Sequence, residues 1–126
     1  HRQFGQALLV DFHSMPSYDR QNIRLPDIVL GDGGGTTISK DTGAAIAKHL
    51  SATGLTVGWN HPYAGGHITR HYGDARATQQ SLQVEINRDL YMDGPTRLNI
   101  EKTMQLADII GGLGRFMVTL LTPLAR

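Results

Sequence analysis

Two short apolar runs, each cut off by polar residues, constrain the fold most. Ala7-Leu8-Leu9-Val10 ends in Asp11-Phe12-His13-Ser14, and Asp27-Ile28-Val29-Leu30 ends in Gly31-Asp32-Gly33-Gly34-Gly35. Runs this brief, without alternation, suit strands covered on both faces, as in a parallel or mixed α/β sheet. The polar residues then sit at the strand C-termini, where open α/β sheets place their sites. Residues 55–59 read as a third strand. Residues 81–87 alternate, with Leu82, Val84 and Ile86 on one face and Gln83, Glu85 and Asn87 on the other. Residues 39–51 read as a helix with Ser39 as N-cap and Gly54 just beyond its end. The turn formers of residues 60–66 predict a loop, and residues 67–72 an extended segment. Pro95 suits the first turn of a long helix buried through Leu98, Met104, Leu106, Ile109 and Ile110. Gly111, Gly112 and Gly114 weaken the case for its running unbroken to Leu121. The predicted order is β, β, α, β, loop, β, α, an α/β class.

Length and composition narrow the function. The 126 residues suffice for one domain, 1–126, and 40% hydrophobic against 18% charged residues permits a packed core. A net charge of +1 argues against a broad grip on nucleic acid. With no cysteine, any metal must be held by His, Asp, Glu or water, which fits a reducing, cytoplasmic setting. Apolar runs fall short of a membrane span, so no membrane association is expected. The chain opens on His1-Arg2-Gln3 without Met and meets a strand at once, which reads as a fragment incomplete at its N-terminus.

Three constellations carry chemistry. His13 at a strand end can offer an imidazole nitrogen to a metal, with Asp11 two residues earlier to orient it; alone, it reads more readily as a strand-end histidine bonded to backbone. Glu85, between Gln83 and Asn87, can serve as a general base on water, or simply be a solvated strand carboxylate. In Tyr63-Ala64-Gly65-Gly66-His67-Ile68-Thr69-Arg70-His71, the glycines allow close approach of a ligand, and Arg70 offers a fork for a carboxylate. His67 and His71 have helical metal-pair spacing, discounted because the adjacent glycines disfavour a helix. Asp32, in a glycine-rich loop that lacks the Lys-Ser/Thr of a P-loop, follows a strand and so is also a candidate.

In order along the chain, DFHSMPS (11–17), LPDIVLGD (25–32), HPYAGGHITRHYG (61–73) and QVEINRDLYMD (83–93) closely resemble N-formylglutamate amidohydrolases. The resemblance implies zinc-dependent hydrolysis of a small N-acyl amino acid, above all N-formyl-L-glutamate to formate and glutamate, a step of histidine degradation. It implies a mixed-sheet sandwich resembling the zinc carboxypeptidase and amidase (phosphorylase/hydrolase-like) fold, here its C-terminal portion. It further implies His13 as a zinc ligand and Glu85 as general base. Arg70, Gly65, Gly66, Asp32 and Asn87 would face substrate. The chain departs from the family at Gly33-Gly34-Gly35, where relatives carry a bulkier charged residue, and it lacks the upstream block expected to supply the other zinc ligands. Alternatives are a non-catalytic relative binding an acidic small molecule, and another metal-dependent amidase acting on acylated peptides. Missing upstream strands would bare a sheet edge and favour self-association.

Overall fold

The computed structural model describes residues 2–121. Its centre is a four-stranded mixed sheet built from β1 (Ala7–Met15), β2 (Ile28–Gly31), β3 (Val57–Trp59) and β4 (Gln79–Asn87), in the order β1-β4-β2-β3. β4 runs parallel to β1 and antiparallel to β2, while β2 and β3 are parallel. The expected α/β class and mixed sheet are therefore present.

The alternation along β4 divides the sheet chemically. On one face Leu82 and Val84 join Ile28 and Leu30, and α1 (Lys40–Ala52) covers them with Ile46 and Leu50. Leu113 of α3 (Ile100–Leu121) completes this core, with Ile109, Phe116, Met117 and Leu120 packed around it. Full burial of each such aliphatic side chain contributes about 1.5–3 kcal/mol, so this face holds the fold together. The opposite face carries Asp11 and His13 from β1 beside Gln83 and Glu85 from β4, and a smaller cluster of Met15, Leu25 and Val29 against Tyr63.

Local signals explain the helix ends. Ser39 accepts a bond from the Thr42 amide at 3.3 Å, and Gly54 takes φ +91° beyond the last turn of α1. His49 and Phe116 stack at 4.3 Å, locking α1 to α3.

Four expectations are corrected. Residues 67–72 are helical, not extended: α2 (His67–Tyr72) has Gly66 and Gly73 as its caps, so the glycines lie outside it and do not weaken it. Pro95 does not open the long helix. It lies between β5 (Met92–Asp93) and β6 (Arg97–Leu98), an antiparallel pair, and Asn99 instead caps α3 by accepting from the Lys102 amide at 3.0 Å. α3 also continues through its glycines to Leu121, which makes it long and apolar enough to cross a membrane by length and composition alone. The apolar side chains that pack on the core account for part of that character. Finally, β1 is not covered on both faces. Among the described residues only β4 flanks it, and Leu9 and Phe12 are 39% and 43% exposed.

Candidate functional site

Register places the site. In the parallel β1–β4 pair, Asp11 lies opposite Gln83 and His13 opposite Glu85. Cross-strand partners share a face, so both pairs project from the polar side of the sheet. His13 and Asp11 meet through Nε2 and Oδ2 at 2.9 Å, which fixes the ring and turns Nδ1 outward from that contact. Glu85 is only 5% exposed, yet its Oε1 accepts a bond from Gln83 Nε2 at 2.9 Å. Burial pushes the Glu85 carboxyl above its ordinary range and neighbouring Asp11 adds to this, while His13 and the Gln83 bond pull it back. A carboxylate raised in this way is a better proton acceptor when ionised.

The glycine loop reaches this face because Gly31 has no side chain. A Cβ there would lie 2.7 Å from the Gly65 amide nitrogen, so the loop after β3 packs directly against β2 at this point. Gly31 is the β2 residue opposite Gln83, and the loop therefore lands beside it. Gly66 N–H donates to Gln83 Oε1 at 2.7 Å, and Arg70 Nε donates to Gly65 O at 3.1 Å. The Gly66 amide is thus engaged with Gln83. Among the described residues no carboxylate ion-pairs with Arg70, whose terminal guanidinium nitrogens remain for an anion.

His13, Glu85, Gly65, Gly66 and Arg70 are thus brought together, and Asp32 and Asn87 are not. Asp32 Oδ1 accepts from Gly35 N at 2.7 Å and Asn60 Nδ2 at 2.8 Å, bracing its own loop. It borders a cleft of about 410 Å³ with Ser39, Lys40, Gly43 and Trp59, on the α1 side of the sheet. Asn87 is fully buried. Its Oδ1 accepts from Ser17 Oγ and the Asp89 amide, and its Nδ2 donates to Leu25 O and Pro26 O, so it ties loops together and has no group left for substrate. Gln83 is the residue whose role went unread, although its place on the Glu85 face was visible in the alternation of the strand.

A zinc centre requires more than this chain shows. The described residues contain no group of three or more His, Asp or Glu placed to hold a metal ion. His67 and His71 do stack at 5.2 Å on α2, but as a pair only. The residues present therefore do not by themselves fit a catalytic zinc, which takes three protein ligands.

A family profile described as N-formylglutamate amidohydrolase matches residues 1–92. The chain belongs to the N-formylglutamate amidohydrolase family. Two curated relatives, the N-formylglutamate deformylases of Pseudomonas aeruginosa and Pseudomonas putida, are each 37% identical over 72% of this chain. The chain spans only 35% of the length of either. The crystal structure of N-formylglutamate amidohydrolase from Ralstonia eutropha JMP134 superimposes with a TM-score of 0.81 and 33% identity, over 94% of this chain and 45% of that one. A more distant structure, described as YNDL-apo (zinc-free), shares the fold at a TM-score of 0.52 and 14% identity, over 90% of this chain and 56% of that one.

Proposed function

We propose that this chain carries the proton-transfer half of an enzyme that hydrolyses N-formyl-L-glutamate to formate and glutamate, as the C-terminal portion of its catalytic domain. The observation that carries the proposal is a buried, hydrogen-bonded Glu85 set opposite His13 on the polar face, with Arg70 held beside the same face. Glu85 accepts a proton from water as the water oxygen bonds to the formyl carbon. The carbon–nitrogen bond then breaks, and the proton passes to the departing amine nitrogen, leaving formate and free glutamate. Arg70 holds a substrate carboxylate through its terminal nitrogens, a charge-assisted contact that fixes orientation. The family resemblance supports His13 as a zinc ligand in a site whose other ligands lie outside this chain.

Glu85→Gln in the full-length protein tests the reading, with formate release as the assay. The expected result is a loss of about 10²–10⁴-fold in kcat, the usual worth of a general base, with binding of N-formyl-L-glutamate retained. Unchanged turnover would remove Glu85 from the chemistry. If the wild-type protein binds the substrate but releases no formate, the chain belongs to a binding module instead.

A further inference from the structure

The geometry points to Gln83 as a positioning residue that couples the glycine loop carrying Arg70 to the carboxylate of Glu85. The inference rests on Glu85 being the base, as proposed above. Gln83 is 4% exposed and makes one bond in each direction: its Oε1 accepts from Gly66 N–H at 2.7 Å, and its Nε2 donates to Glu85 Oε1 at 2.9 Å. The first bond dictates the second. A backbone N–H must meet an oxygen, so the amide cannot flip without setting donor against donor at Gly66 and acceptor against carboxylate at Glu85. Gln83 therefore always presents an N–H to Glu85.

The loop end of this strut is tied in turn to the anion-binding side chain. Arg70 N donates to Gly66 O at 3.2 Å, and Arg70 Nε donates to Gly65 O at 3.1 Å. Gly31 leaves the loop room to seat here, directly across from Gln83. A substrate carboxylate that draws Arg70 and the loop into place thus also settles the oxygen of Glu85 that must face water. A carboxylate placed away from the reacting centre then acts on kcat as well as on KM, which is how remote binding energy aids chemistry.

The test separates the two bonds in the full-length protein. Gln83→Met keeps the length of the side chain and loses both bonds. Gln83→Glu keeps an acceptor for Gly66 and sets a carboxylate against Glu85. Both variants should lower kcat for N-formyl-L-glutamate by about 10–100-fold, the worth of one hydrogen bond to a charged group, with KM within about threefold. The Gly66 amide proton should move upfield in Gln83→Met and stay downfield in Gln83→Glu, a signature that general loss of packing would not produce. Normal kcat in both variants, in a protein that Glu85→Gln inactivates, would overturn the inference alone. If wild-type turnover proves independent of Glu85, the reading it rests on fails instead. The strut is still judged by the Gly66 resonance, and an unmoved signal in Gln83→Met overturns it. Should the methionine variant not fold, Gln83→Asn, too short to span both partners, is read the same way.

Discussion

At the scale of single residues, the molecule uses side-chain amides for two different purposes. Gln83 spends its amide inside the site, whereas Asn87, two positions along the same face, spends its amide on the loops at Ser17, Leu25, Pro26 and Asp89. Asn87→Ala strands several of those buried or part-buried groups and should cost about 1–3 kcal/mol, the cost of an unmet buried group. Thermal unfolding measures the loss, and a variant with an unchanged midpoint but weakened substrate binding would return Asn87 to the site. The titratable candidates His13, Glu85 and Arg70 stand out in the sequence because their residue types announce a chemistry. The amides do not, because each also has a partner far off along the chain. Gln83 depends on Gly66 and Asn87 on Leu25, and spacing within a strand cannot reveal either contact.

At the scale of elements, most strands and α1 were readable from apolar runs and caps, while short pieces beside glycine and proline were misread. α2 is not legible in the sequence because its adjacent glycines read as helix breakers, whereas Gly66 and Gly73 mark its ends. Pro95 fits a turn as well as a first helical turn, and the stronger cap at Asn99 decides where α3 begins. The loop after β1 has its own anchor: Arg24 meets Asp89 at 2.7 Å, beyond the end of β4, and lies over the Tyr18 ring. That bond holds the Asp89 carboxyl below its usual value of 3.8. An acid depressed in the folded state lends stability above its unfolded pKa and loses it as pH falls through the folded value. Arg24→Gln should therefore be slightly less stable than wild type at neutral pH, with the gap closing below pH 3.8. Both groups are half-exposed, so the gap should be small and shrink in high salt. Denaturant melts across pH measure it, and a gap that widened in acid would refute the anchor.

At the scale of the whole molecule, the α/β class followed from apolar runs, but the strand order did not, because nothing local tells β4 to insert between β1 and β2. Among the described residues, apolar side chains stay bare at the β1 edge, with Leu9 and Phe12, and along an outer stripe of α3, with Ile100, Met104 and Val118. A patch of this kind favours self-association of the chain on its own. Met104→Lys should weaken it by about tenfold or more, the worth of burying one such side chain. Light scattering across concentration decides, and a wild-type chain that stays monomeric throughout would end the idea. The pairing of β1 with β4 also dictates an order of events. β1 leaves the ribosome before β4, and its partner is complete only at Asn87, after two other strands and two helices have been made. Long-range parallel pairing is slow, so Asp11 and His13 wait on an unpaired strand while the rest is synthesised. The polar face that Asp11 and His13 share with Gln83 and Glu85 therefore cannot assemble before Asn87 is made, and a nascent chain stalled short of β4 would hold only half of it, on an unpaired strand.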